Sequence, residues 1–252
     1  MIHVFPIKNL PKINRGDNLA RIFSTCFSFE DGDILAVCST IVSKAEGRMV
    51  KLEDFSPSEK AVNLARDLGK DPRFVQAVLN ESEEILIERP FLLVKAKFGN
   101  VCINAGIDNT NVPEGYILLP PENPDASARN IRDEIRDLTG KNVGVIVTDT
   151  NGRCFRKGVV GFSVGVSGIS PMKDWRGSRD LYGKELEVTV ECVADEVAGF
   201  ANILMGEGDD GVPAVVIRGL NLEGDGSMKE IYREEDEDII RRIIKGWKKE
   251  NF

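Results

Sequence analysis

The apolar positions of this chain follow two rhythms. Short unbroken runs mark strands, and positions recurring every three or four residues mark helices. His3-Val4-Phe5-Pro6 reads as a first strand. Asp17 is expected to cap a helix over Leu19 to Phe23, and Asp31-Gly32-Asp33 turns the chain into a strong strand from Ile34 to Cys38. Ser56-Pro57-Ser58-Glu59 has the form of a capping box with proline at the first helical position, and its helix is expected to stop at Gly69. Asp71-Pro72 caps the next helix, expected to end near Glu84. Phe91 to Val94 and Val101 to Ile103 read as a strand pair meeting at Gly99-Asn100. Asp125 or Ser127 caps a helix that leads to the apolar run Val143 to Val147, read as a buried strand. Val190, Val193, Ala194, Val197, Ala201 and Leu204 recur at helix spacing, and Val212 to Ile217 returns to a strand pattern.

Ser227 and Glu230 read as the capping box of a last helix, with acids early and bases late to complement its dipole. Ile239, Ile240, Ile243, Ile244 and Trp247 form its apolar stripe, expected to enter the core. Strands and helices mix without a clean βαβ rhythm, so the expected class is α+β. Pro120-Pro121-Glu122-Asn123-Pro124 is the best linker, dividing the chain into two subdomains at 120–125.

Composition narrows the function. A length of 252 residues allows one large domain or two modest ones, and 42% hydrophobic residues suffice for a core. No apolar run reaches membrane-spanning length, and the first residues lack a signal peptide's basic and apolar regions. A cytoplasmic protein with no membrane partner is expected. The net charge of −8 argues against general nucleic-acid binding but leaves room for a local basic pocket around Arg153, Arg156 and Lys157. The five cysteines show no metal-ligand or redox spacing. Cys38 and Cys102 are expected in the core, and Cys154, beside Arg153, is read as structural. The single histidine, His3, would have to serve any Ser-His-Asp triad or His-liganded zinc. A metal here is therefore expected to be a hard cation on oxygen. Gly140-Lys141 lacks the rest of a Walker A pattern.

Three acidic stretches carry the candidate chemistry. Asp149-Thr150-Asn151-Gly152-Arg153 follows the Val143 strand, so acid, hydroxyl and amide are expected together at a strand's end, next to guanidinium groups. That suits a metal ion sharing its site with phosphate, and it is also ordinary turn chemistry. Asn104 to Asn111 offers oxygen from Asp108 and Asn111, or is a polar connection. Gly206-Glu207-Gly208-Asp209-Asp210-Gly211 matches a dinucleotide fingerprint in spacing, but a helix precedes it and a strand comes after it, the reverse of what that fingerprint requires. Three carboxylates would repel a pyrophosphate unless a metal lay between them. The loop is either a helix exit or, as its packed acids favour, a metal-bearing phosphate loop. Ser39, Thr40 and Lys44, after the second strand, can hold phosphate or simply be solvated. Gly158, Gly161, Gly165 and Gly168 permit close backbone approach, to a ligand or to a packed neighbour.

These residues resemble a known family. Lys44-Ala45-Glu46-Gly47, Asn104 to Asp108, Asp149 to Arg156, Gly158 to Phe162, Asp174-Trp175-Arg176-Gly177, Val193 to Glu196 and Met205 to Gly208 match the archaeal coenzyme F-420-0:L-glutamate ligases, the gamma-glutamyl ligases of deazaflavin coenzyme synthesis. The likeness spans nearly the whole chain, with no departure at a motif position. It implies a GTP-dependent enzyme that joins L-glutamate to the deazaflavin phospholactate F-420-0, then adds a second glutamate through the first one's gamma-carboxylate. It further implies two divalent cations, manganese or magnesium, a potassium ion, and an intertwined homodimer of uncommon α+β fold. On this chain it implies that Asp108 and Asp149 hold one metal, and Thr150 and Glu207 the other. Asp108, Asp149 and Glu207 would form the catalytic set. Nucleotide contacts would come from Leu10, Pro11, Lys12 and Ile13, from Ser39, Thr40, Lys44 and Asn111, and from Met205, Gly206, Glu207, Gly208, Asp209, Asp210, Gly211 and Val212.

The residues suit that reaction. A carboxylate is a poor electrophile and an acyl phosphate a good one, and no histidine is needed where electrostatics and positioning carry the chemistry. Arg153, Arg156 and Lys157 would suit the anionic deazaflavin or the acyl phosphate. Two alternatives use the same residues: a metal-dependent phosphohydrolase acting on a nucleotide or phosphoester, and a non-catalytic deazaflavin- or nucleotide-binding protein. The number of buried acids disfavours the second.

Overall fold

The computed structural model describes residues 1–251, with side chains to Gly246. In chain order its elements are β1 (His3–Ile7), α1 (Leu19–Cys26), β2 (Ile34–Cys38), α2 (Ser39–Ala45), β3 (Met49–Lys51), α3 (Glu59–Leu68), α4 (Pro72–Glu81), β4 (Ser82–Ile87), β5 (Leu93–Ala96), β6 (Val101–Ile103), β7 (Tyr116–Leu118), α5 (Pro124–Thr139), β8 (Gly144–Arg153), β9 (Arg156–Ser167), β10 (Lys173–Asp174), β11 (Val190–Glu191), α6 (Val193–Met205), β12 (Ala214–Arg218) and α7 (Ile239–Asn251). The class is α+β, with mixed and antiparallel sheets. No helix among the described residues is long and apolar enough to cross a membrane.

The chain forms two compact units. Unit 1 comprises residues 1–13, 17–42 and 123–231, and unit 2 comprises 14–16, 43–122 and the chain from 232 onward. Unit 1 is built on a five-stranded sheet in the order β1-β12-β2-β8-β9. Only β2 and β8 run parallel, and the other neighbours are antiparallel. The central strands are apolar on both faces: Ile34 to Val37, Val145 to Val147 and Ala214 to Ile217 are all buried. That is why their sequences read as unbroken runs instead of alternations. Helix α5 packs on β8 and β9, and α6 packs on β2, β8, β9 and β12.

The base of this sheet is closed by charge. Asp33, fully buried, accepts hydrogen bonds from Arg218 Nε at 2.7 Å and Nη2 at 2.8 Å, and from the Glu30 amide at 2.8 Å. The guanidinium also lies over the Phe5 and Phe27 rings. A buried carboxylate is tolerable only with such complete pairing.

Unit 2 packs α3 and α4 over the antiparallel sheet β4-β5-β6, with the pair β3-β7 beside it. Leu64, Val75, Val78, Leu92, Val94 and Ile117 are among the residues of its core.

Several local expectations need correction. Helix α1 is capped by Asn18, not Asp17: the Asn18 side chain accepts the Arg21 amide hydrogen bond. Ser58, not Ser56, caps α3, although that helix does end at Gly69 in the left-handed conformation. Asn123 caps α5, because Asp125 spends its carboxylate on the distant amides of Val166 and Met228. Helix α4 starts at Pro72 as expected but stops at Glu81, where β4 begins. The Ser227–Glu230 capping box exists, but it closes a single 3-10 turn at Met228–Glu230 instead of starting α7.

The apolar stripe of α7 does not enter the core. Ile239, Ile240 and Ile243 are exposed, Ile244 is half-buried, and Trp247 lies outside the described side chains. The helix docks by its other face. Buried Arg241 pairs with Glu84 of β4, and Lys245 bonds Glu84 at 3.2 Å.

Candidate active site

The register of the large sheet places the unit 1 candidates at one end. A single row of paired residues crosses it: Ile7, Ala214, Val37, Val147 and Gly165. Just beyond that row, β1 releases Leu10 to Ile13, β2 passes into Ser39 and Thr40 of α2, and β8 reaches Asp149 and Thr150. The segment from Met205 to Val212 arrives there to start β12. Four segments far apart in sequence therefore start from the same end of the sheet, where its only parallel strand pair has its carboxyl ends. In open parallel sheets ligands bind at such strand ends, where neighbouring strands diverge into different connections. Two contacts tie the segments together. The Cys38 amide donates to the Pro213 carbonyl at 2.9 Å, and the Thr148 hydroxyl lies 3.8 Å from Met205 Sδ.

Asp149 and Thr150 do not sit at a strand's end, as the sequence suggested. Strand β8 continues to Arg153 and forms a long hairpin with β9, pairing Asp149 with Phe162 and Thr150 with Gly161. What ends at Cys38 is the partner β2, so past Thr148 the hairpin runs without its parallel neighbour. The exposure expected of a strand end arises from the loss of a neighbour. A register shift at Thr148, where β9 carries one extra residue, marks the transition. Such bulges bend and twist a strand pair and re-aim the side chains past them.

The side chains beyond the bulge are oxygen donors. Thr150 Oγ1 lies 3.4 Å from Glu207 Oε2, and the Thr150 amide donates to Asp149 Oδ1 at 2.8 Å. Glu207 Oε1 accepts a 2.9 Å hydrogen bond from Asn202 Nδ2. Glu207 comes directly after Gly206, whose φ of 70° is open to glycine at no steric cost. The Gly206 Cα faces the Asp210 carboxylate so closely that a Cβ would collide with it. Glu207 and Asp210 thus take different directions from one short loop.

Unit 2 holds the other candidates. Asp108 bridges Leu118 through two backbone hydrogen bonds of 3.0 and 2.8 Å. Its carboxylate accepts from the Thr110 amide at 2.8 Å and the Thr110 hydroxyl at 2.7 Å. The turn before it is tight: Asn104, Ala105 and Gly106 all have positive φ. Lys44 Nζ donates to the Asn111 carbonyl at 2.7 Å, so two predicted nucleotide contacts touch each other.

The basic stretch lies at the tip of the β8–β9 hairpin, where Arg153, Phe155, Arg156 and Lys157 are exposed. Cys154 is exposed there too, while Cys102 is buried as expected and Cys38 is half-buried. Gly161 and Gly165 serve packing: a Cβ on Gly161 would lie 2.6 Å from the Ala198 carbonyl oxygen of α6, and one on Gly165 would overlap Pro124 of α5. Sequence reasoning missed Asn202 and the Asp195–Ser163 pair, in which Asp195 Oδ1 accepts the Ser163 amide at 2.9 Å and its hydroxyl at 2.6 Å. Nothing in a helical run marks an amide that bonds a residue beyond the helix end.

The donor set fits a hard cation. The oxygens are a carboxylate, a hydroxyl and a second carboxylate, the ligand types magnesium and manganese take. The Thr150–Glu207 spacing lets two oxygens share one ion. Among the described residues no three His, Cys, Asp or Glu side chains gather as a metal-holding group. Magnesium is commonly held by one or two carboxylates, with water and phosphate oxygens completing its shell.

Fold and site together define an α+β protein with oxygen-donor side chains gathered past the ends of a parallel strand pair, a glycine-flanked acid among them. The family model for F420-0:gamma-glutamyl ligase matches residues 8–219. Over 244 residues the chain is 66% identical to a coenzyme F420:L-glutamate ligase of Archaeoglobus fulgidus, covering 97% of this chain and 98% of that one. It is 50% identical to the enzyme of that name from Methanosarcina mazei, over 95% of each chain. The Methanocaldococcus jannaschii relative is 44% identical, over 92% of this chain and 94% of its own. The chain belongs to the F420-0:gamma-glutamyl ligase family.

Proposed function

We propose that this protein is a GTP-dependent ligase that joins L-glutamate to the deazaflavin coenzyme F-420-0 by an amide bond, then adds a second glutamate through a gamma-linkage. The observation that carries the reading is family membership at 66% identity over nearly the whole of both chains. The convergence of Leu10–Ile13, Ser39–Thr40, Asp149–Thr150 and Met205–Val212 at one sheet end supports it, since these are the segments the resemblance assigns to nucleotide and metal.

The chemistry runs in two balanced steps. A carboxylate oxygen of the acceptor attacks the terminal phosphorus of GTP and GDP leaves, giving an acyl phosphate. The glutamate amine then attacks the acyl carbon, inorganic phosphate leaves, and the nitrogen loses a proton. Bound divalent cations, with a potassium ion, would neutralise phosphate charge. The resemblance assigns Asp108 and Asp149 to one divalent ion, and Thr150 and Glu207 to the other. Backbone groups flanking Glu207 can approach a phosphate because Gly206 and Gly208 carry no side chain. Lys44 would meet the nucleotide while bonded to the Asn111 carbonyl, and the exposed Arg153, Arg156 and Lys157 would receive the anionic deazaflavin. The reading also takes the protein as a homodimer, as the resemblance implies.

Mass spectrometry of F-420-0 incubated with protein, GTP, manganese and glutamate tests this. Products heavier by one and then two glutamyl residues are expected. They should be absent with Asp149→Asn, which keeps the side chain's size and loses its charge. Phosphate release from GTP with neither glutamate nor F-420-0 present would identify a phosphohydrolase instead.

A further inference from the structure

Helix α6 does more than pack beneath the site. Three of its residues, at positions spaced for one face, reach the elements that carry the oxygen donors. Asp195 takes both hydrogen bonds of Ser163, on the β9 side of the bulge opposite Thr148. Ala198 abuts Gly161, the partner of Thr150. Asn202 donates to Glu207 Oε1 at 2.9 Å while its own carbonyl accepts the Gly206 amide at 2.9 Å.

We propose that Asn202 is a positioning residue: its side-chain amide fixes the Glu207 carboxylate so that Oε2 is presented beside Thr150 Oγ1. Glu207 is exposed, on a loop that starts at a glycine, and its side-chain torsions are free unless a partner holds them. A flexible carboxylate binds a cation weakly unless something already fixes it. The Asn202 amide can only donate through its nitrogen, so it occupies one carboxylate oxygen and leaves the other directed at Thr150. The backbone bond from the same residue sets where the helix stops, so one residue fixes both the start of the loop and the direction of its acid. Partners that orient metal ligands in this way typically contribute about 10–100-fold to metal affinity. The proposal rests on the reading of Glu207 as a metal ligand.

Manganese binding in the presence of GTP, followed through the electron-spin resonance of free Mn²⁺, tests it without turnover. Four proteins are compared: the parent, Asn202→Leu, Glu207→Gln and the double variant. Asn202→Leu is expected to weaken one manganese site by about 10–100-fold, with an unchanged melting temperature. Adding it to Glu207→Gln should then cost nothing more, because the residue acts through that carboxylate. Asn202→Ser, too short to reach, should behave as Asn202→Leu. Losses that simply add in the double variant, or unaltered binding in Asn202→Leu when Glu207→Gln is impaired, would overturn the proposal while sparing Glu207 as a ligand. If Glu207→Gln itself binds manganese like the parent, the reading of Glu207 fails and the proposal falls with it.

Discussion

Within the loop after α6, two acids three residues apart have different fates. Glu207 reaches Thr150 and Asn202, whereas Asp210 folds back over the Cα of Gly206. Glu207→Gln should therefore weaken metal-supported GTP turnover strongly and shift its manganese dependence, while Asp210→Asn should cost much less. A general electrostatic role for the loop would make the two neutralisations alike, and kinetics across a manganese titration separates the cases. A second contrast concerns the thiols. Burial pushes the Cys192 thiol up to about 12. Its thiolate fraction at pH 8 is then about 10⁻⁴, and since only the thiolate attacks, the residue should be inert until pH approaches that value. Cys26 and Cys154 are exposed. Alkylation at pH 8 followed by peptide mapping should label those two first and leave Cys192 unlabelled in the folded protein.

At the scale of elements, the contact of α6 with the β8–β9 hairpin depends on Gly161. A methyl group there would press on the Ala198 carbonyl at 2.6 Å and on Asn202 Cβ at 2.7 Å, both close to the helix backbone. Overpacking of this kind costs about 1–3 kcal/mol, so Gly161→Ala should lower the melting temperature measurably. Gly152, on the same hairpin, has open space around its missing Cβ and no positive φ. Gly152→Ala should stay within about 0.5 kcal/mol of the parent. Equal melting temperatures for the two variants would mean that the helix does not seat on Gly161. Helix α7 shows the opposite logic, since it is held through Arg241, Lys245 and Glu84 and leaves Ile239, Ile240 and Ile243 outward.

For the molecule as a whole, net charge and acidic loops would set the terms of the proposed nucleotide binding. A chain of net charge −8, with Glu207, Asp209 and Asp210 on one loop, repels a bare triphosphate. A ligand that binds only the native state raises apparent stability in proportion to its occupancy. GTP should therefore raise the melting temperature more with manganese or magnesium than with a chelator. Equal shifts would put the nucleotide elsewhere. Light scattering at micromolar concentration should give the mass of a dimer, and a monomer mass would contradict the homodimer reading.

The sequence alone determined what depends on neighbours along the chain. The runs Ile34–Cys38 and Val143–Val147 read as buried strands because they are short, apolar throughout apart from glycine, and bounded by turn residues. Gly69 and the Asp71-Pro72 pair marked helix boundaries because few residues tolerate those backbone positions. The acidic stretches were legible because carboxylates flanked by glycine or amide are poor core residues. Tertiary structure decided the rest. Asp125 could have capped its helix, but Val166 and Met228 claimed its oxygens, and Asn123 took the cap. The α7 stripe was correctly grouped on one face, but periodicity does not say which face docks, and a buried arginine settled it. Asp149 owes its partial exposure to the point where a different strand, β2, stops at Cys38, a residue remote from it in the chain. The hydrophobic pattern of a strand sets which of its faces is buried, but where its neighbour stops is written in another stretch of the chain.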